Sequence, residues 1–248
     1  MVKKLSFVLL SLILSTTTIF AYTTISGNMS GITLSSGTYH VTGDLFVNDG
    51  TTFTLNPGVV LKFATGKDLT VYGTLHAIGL NSPFIFFTSQ NDDTVGETLP
   101  ISTGNPQPGD WEGILFDGTT TNDGICAMKY CCVKFGGSSS GTILSNIKLE
   151  ESDVCSIEYT ITRFSEVHGI GIDTCSPDIV YNYVDHNLQS GIYIEGTCLS
   201  TISGNNIFDN STSGLYISTY SSAPTVTSNT IDNNDPSVSY THLTLPTN

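Results

Sequence analysis

The sequence predicts an all-β chain wound as a single-stranded right-handed parallel β-helix, a solenoid with coils of 22–24 residues. Three observations carry this. Segments Ile179 to Val184, Ile202 to Ile207 and Val226 to Ile231 align with one another, and their Asn182, Asn205 and Asn229 recur at offsets of 23 and 24. Between them Gly169 to Ile172, Gly191 to Ile194 and Gly214 to Ile217 recur at 22 and 23. Within each repeat the apolar residues alternate with polar ones in short runs rich in Ile, Val, Thr and Tyr, a period of two that belongs to strands. Twenty-three residues at about 3.3 Å each give a contour of about 76 Å, suited to one triangular turn.

The earlier part repeats less sharply. Asp44 to Val47 pairs with Asp68 to Val71 at an offset of 24, and Thr52 to Leu55 pairs with Thr74 to Ala77 at 22. Val60 to Phe63 matches Ile85 to Thr88 loosely. A further copy at Met128 to Val133 puts Cys131 in the Asn position, and Tyr159 is read as its counterpart one coil later. Leucine-rich repeats share this period, but their Leu-x-x-Leu-x-Leu spacing and helical return segment are absent.

Residues 1–21 read as a secretory signal peptide: Lys3 and Lys4, an apolar run from Leu5 to Leu14, then small residues ending at Ala21. The apolar run is about half of the ~20 residues a bilayer span needs, so no membrane span is expected. The β-helix domain is placed at 22–237, with a loop insertion at 89–110 containing three prolines, three glycines and four acids. This loop is expected to be pushed out from one corner, as a decoration or a functional segment. Residues 238–248 do not continue the repeat. Val238 to Thr247 resembles, codon by codon, the translation of a transposon-end adapter used in DNA library construction, so the domain is read as truncated at its C-terminus.

Charge narrows the function classes. The chain carries 8 Lys and Arg against 22 Asp and Glu, and only 12% of its residues are charged. A nucleic-acid binder needs a basic face, and none is available. Electrostatic docking to anionic lipid is excluded for the same reason.

Stacked coils lie about 4.8 Å apart, so equivalent residues touch. Asn182, Asn205 and Asn229 are therefore read as a structural Asn ladder in preference to a row of ligand-binding amides. Gly191 and Gly214 are expected to supply positive φ at turns. Cys175 and Cys198 both lie four residues before a repeat Ile, which would stack them within disulfide range, with core thiols as the alternative. Cys126 with Cys155 is a second, weaker pairing. Adjacent Cys131 and Cys132 do not supply metal-ligand spacing, and no metal or other cofactor is expected. Trp111, directly after the loop, is read as core.

Tyr193 and Tyr216 occupy equivalent outward positions and are the candidate carbohydrate-binding pair; cross-coil aromatic packing is the competing reading. Arg163 with Glu166 and His168 is a weak catalytic cluster, since no second coil presents matching carboxylates. Asp153, Asp178 and Glu195 do not align on one face as a hydrolase pair would require. No catalytic residue is assigned.

The repeats resemble those of secreted bacterial right-handed parallel β-helix proteins with the pectate-lyase-like fold. The likeness rests on the recurring Asn two residues before Ile or Val. It also rests on the phrases Tyr39 to Leu45, Leu55 to Phe63, Gly73 to Gly79 and Gly109 to Ile114. That family includes polysaccharide lyases, surface adhesins and carbohydrate-binding or sugar-hydrolase modules. The resemblance implies an exported periplasmic, cell-surface or extracellular module, non-catalytic in the part seen, with polysaccharide as its partner. Two alternatives stay open: a lyase or glycosidase with missing catalytic coils, for which alone Ca²⁺ would be needed, and a structural adhesin or stalk.

Overall fold

A computed structural model describes residues 22–119, 124–218 and 223–235, and the backbone of 238–240. The expected signal peptide and residues 241–248 lie outside the described residues. Every regular element described is a β-strand, and every strand pairing is parallel. The strands form three faces wound in the order I, II, III. Face I runs through Val59–Phe63, Ile85–Ser89, Cys131–Lys134, Ile161–Arg163, Tyr183–Asp185, Asn206–Phe208 and Thr230–Asp232. Face II runs through Asp68–Val71, Gly113–Asp117, Ser145–Glu150, His168–Asp173, Ile192–Glu195, Leu215–Ile217 and Val238–Tyr240. Face III is an eight-stranded sheet from Thr33–Leu34 to Thr225–Thr227. Gly37–Val47 turns one corner without a break, pairing through Gly37 to Val41 with face I and through Leu45 to Val47 with face II. Tyr22–Asn28 lies along it on the outer side. The backbone strand Val238–Tyr240 pairs with Leu215–Ile217 and extends face II by one coil.

The core is a set of columns. On face II, Ile147, Ile170, Ile192 and Leu215 lie in register and fully buried, with Leu149, Ile172, Ile194 and Ile217 in the next column. Face III contributes Ile157, Ile179 and Ile202. Trp111 is buried among them, stacked on Phe63 at 4.2 Å with its indole N–H donated to the carbonyl of Lys134 at 2.9 Å.

Two ladders of Asn hold the corners flanking face I. Asn182 Nδ2 and backbone N both donate to Asn205 Oδ1, at 3.0 and 2.8 Å, and Asn205 repeats the pattern on Asn229. Each Nδ2 also reaches a carbonyl of the preceding coil, Ile157 and Ile179 respectively. The second ladder, Asn187, Asn210 and Asn234, is built identically at the far end of the face. In the coil before Asn182 the ladder position belongs to Thr160, whose backbone N–H donates to Asn182 Oδ1. Tyr159, expected there, sits one residue earlier. The residue before each ladder position is left-handed: Tyr130, Tyr159, Tyr181, Gly204 and Ser228 at one corner, Phe135, Phe164, His186, Asp209 and Asn233 at the other. A left-handed residue reverses the chain sharply enough to aim the next side chain inward, a conformation non-glycine residues adopt only at some cost.

Several expectations are corrected. Gly191 does not adopt positive φ. A Cβ there would lie 2.7 Å from the carbonyl oxygen of Gly214 and 2.8 Å from Asn210 Nδ2, so close approach excludes a side chain. No disulfide joins Cys175 to Cys198. The Cys175 thiol points to the carbonyl of Leu149 and the Cys198 thiol to that of Glu195. Side chains at equivalent positions of parallel coils project side by side, which does not suit the roughly 90° twist of a disulfide. Burial also pushes the Cys175 thiol up to about 12, so it stays protonated. Cys126 and Cys155 are register partners in the core, likewise not bonded to each other.

The insertion after Ile85–Ser89 is not pushed outward; it folds back over face I. Lys62 points out of the sheet yet is fully buried, donating to the carbonyls of Asp92 at 2.7 Å and Glu97 at 2.6 Å. Asp92, also buried, accepts from Thr88 at 2.7 Å and pairs with Lys134 at 2.8 Å. Gln90 meets His40, and the backbone N–H of Glu97 donates to Thr38. The loop therefore straps successive coils of face I. Burial alone raises a carboxyl's pKa, but hydrogen bonds from Lys134, Thr94 and Thr88 outweigh it and hold Asp92 below the ordinary carboxylate range.

Two predictions follow from this packing. Asn205→Ala strands the N–H of Asn182 and the carbonyl of Ile179, and should cost about 3 kcal/mol in denaturant unfolding followed by Trp111 fluorescence. A loss under about 0.5 kcal/mol would contradict the ladder's role. Asp92→Asn breaks a buried ion pair and should destabilise by about 3 kcal/mol, with faster proteolysis inside the loop. Because the folded pKa of Asp92 is depressed, its contribution is complete above the unfolded value of about 3.9 and is lost as pH falls through the lower folded one. Wild type should therefore become as protease-sensitive as the variant only at strongly acidic pH.

Candidate functional site

The outward side of face II carries the densest set of chemically versatile side chains. Lys148, Gly171, Tyr193 and Tyr216 form one column in register. Glu150, Asp173 and Glu195 form the next. Ser145 and His168 are register partners at the corner where the face begins. Each set is aligned because the coils stack without slippage, so positions 22 or 23 residues apart converge.

Tyr193 and Tyr216 stack at 5.4 Å with planes 2° apart, and His168 lies against the other face of Tyr193 at 4.4 Å and 11°. Both faces of Tyr193 are thus occupied within the stack. It offers its edge and hydroxyl, and the hydroxyl donates to Glu195 Oε2 at 3.2 Å. Burial raises the Tyr193 phenol above its ordinary value.

Two clefts flank this stack. One, of about 150 Å³, opens over Gly171 and is lined by Ser145, Lys148, His168, Asp173, Tyr193 and Glu195 among others. The other, of about 250 Å³, lies between His168, Gln189, Ser190, Thr212 and the two tyrosines. Lys148 pairs with Glu150 at 3.2 Å. Burial pushes the His168 imidazole down to about 4. Its Nδ1 accepts the N–H of Ser190 at 3.3 Å, which fixes the proton of the neutral ring on Nε2.

The weak catalytic cluster does not assemble. Arg163 lies on face I and is held bidentately by Asp185, at 2.9 and 2.5 Å, which raises its pKa further. His186 takes the same carboxylate at 3.0 Å. Glu166 accepts the N–H of Ser139, and His168 is on face II. Asp153 accepts the N–H of Ser176, and Asp178 starts a strand of face III, while Glu195 is on face II. Alignment of the repeats overlooked Asp173, the register partner of Glu195, and Ser145. The signal was available as the acid ending each of Ser145–Glu150, His168–Asp173 and Ile192–Glu195. Among the described residues no group of three or more His, Cys, Asp or Glu side chains is arranged to hold a metal ion. No helix among them is long and apolar enough to cross a membrane.

Residues 112–248 match the family described as the right handed beta helix region. The chain belongs to the right-handed β-helix family. The match begins beside Trp111, where the strap ends. This β-helix is also similar to the protein named "Protein bark beetle" of Drosophila melanogaster, with 26% identity over 137 residues. The match covers 55% of this chain and 4% of the fly protein, so the chain spans a small part of that relative's length. No solved structure matches.

The environment of His168 yields a prediction. Its folded pKa of about 4 lies below the unfolded value of about 6.5, so the unfolded state binds more protons between them. Stability should be complete above about pH 6.5 and fall as the pH drops toward 4. In a ¹⁵N imidazole titration His168 should remain the neutral Nε2–H tautomer throughout that window. A midpoint near 6.5 would show that the ring is not enclosed as described.

Proposed function

We propose that this right-handed β-helix is an exported module that binds polysaccharide along face II and is non-catalytic in the part seen. The observation that carries the reading is the His168, Tyr193 and Tyr216 stack, with a cleft on each side of it. Stacked rings fix a row of edges and hydroxyls at coil spacing, and carboxylates, hydroxyls and amides line the clefts beside them. An extended glycan running along the solenoid axis would cross the column of Lys148, Gly171, Tyr193 and Tyr216 and the carboxylates beside it. Export is read from residues 1–21 and the periplasmic, cell-surface or extracellular location from the family resemblance.

The test is retention of the protein on a panel of insoluble and gel-embedded polysaccharides, with reducing ends assayed in parallel. At least one glycan should retain the wild type without release of new reducing ends. Tyr193→Ala with Tyr216→Ala should weaken retention by about tenfold or more, equivalent to about 1.4 kcal/mol. Unchanged retention in the double variant would remove the stack from the binding surface and favour a structural stalk. New reducing ends would favour a glycosidase.

A further inference from the structure

We infer that the cleft over Gly171 is a subsite for an amino-sugar residue, with the ligand's ammonium held between Asp173 and Glu195 and one of its hydroxyls on Ser145. The inference rests on the polysaccharide reading above and names the sugar class that reading leaves open. It starts from a gap. The outward column carries a side chain at Lys148, Tyr193 and Tyr216 and none at Gly171, where an added Cβ would come within 2.6 Å of Ser145 Oγ; His168, stacked on Tyr193, walls the cleft that remains.

Ser145 is the second observation. It is 2% exposed, it lines the cleft, and its hydroxyl makes no hydrogen bond to any described residue. That hydroxyl faces the space over Gly171, where it can both donate to and accept from a ligand hydroxyl.

Charge selects the sugar. Lys148 is already neutralised by Glu150. Asp173 and Glu195 are register partners on adjacent coils, and among the described residues neither is paired with a cation. Their contacts are hydroxyls, Thr174 on Asp173 and Tyr193 on Glu195. Like charges directly opposite on neighbouring strands repel, and a cation between them is favourable. His168 is neutral and does not supply it. A uronate would add a third negative charge to a protein already at −14. A hydroxyl-rich ring bearing an ammonium group meets every unpaired group in the cleft.

The experiment is calorimetric titration of the full chain at about pH 6, below the pKa of an ordinary amine. The probes are glucosamine oligomers, their N-acetylated counterparts and galacturonate oligomers. Glucosamine oligomers should bind about tenfold tighter than the N-acetylated ones, and galacturonate oligomers weakest. Asp173→Asn with Glu195→Gln, isosteric and outward-facing, should abolish the preference for the amine, bringing the two oligomers to comparable affinity. Ser145→Ala should weaken both by about threefold to tenfold. Equal binding of amine and N-acetyl forms, or a preference that survives the double variant, overturns the inference. Retention of another polysaccharide in either case leaves the binding reading standing, whereas no retention of any glycan overturns both.

Discussion

Stacking in register is the constraint on which everything else depends. Parallel strands put each residue about 4.8 Å from its equivalent in the next coil, with side chains pointing the same way. A buried polar group at a corner can then be satisfied only by what stands directly above or below it. Asn meets this demand best. Its carbonyl oxygen takes two donors from the coil before, while its own amide passes one donor forward and one to a backbone carbonyl. Apolar columns obey the same rule with less precision, since Ile, Leu and Val substitute freely for one another along face II.

This explains what was legible in the sequence and what was not. The period, the strand character and the ladder of Asn182, Asn205 and Asn229 recur in the letters themselves. The second ladder recurs at the same offsets, through Asn187, Asn210 and Asn234, but lies at the end of each aligned block, where attention to the apolar run ends. Tyr159 was placed one residue out because Thr160 does the ladder's work with a hydroxyl, and no residue type marks the left-handed corner beside it. Tyr, Phe, His, Asp, Ser and Asn all occupy that conformation here, so backbone geometry is set by tertiary packing and not by local preference.

The clefts were less accessible for a different reason. Tyr193 and Tyr216 could be placed outward from alternation alone, yet the third ring of the stack, His168, reaches Tyr193 from the preceding coil, across the space left by Gly171. Which side chain leans into a gap depends on the depth of the corner and the rotamers around it. The strap over face I was opaque for a related reason. Its Pro, Gly and acidic residues suggest solvent, whereas the buried Lys62 amine draws two of its backbone carbonyls down onto the sheet.

That strap changes how the solenoid holds together. A repeat array with only nearest-neighbour contacts has stability that adds coil by coil, and it frays from its ends. Contacts reaching from the strap to Thr38, His40, Lys62, Thr88 and Lys134 couple coils far apart in sequence, so that none of them can open alone. The strap reaches Glu166 through Gly109, and the coils from Tyr183 onward have only their neighbours. Slow amide hydrogen exchange should therefore divide the molecule into a cooperative block under the strap and a graded stretch beyond it. The clefts beside Tyr193 reach into the graded stretch, where the polysaccharide chain proposed above, spanning several coils, would act as an external splint.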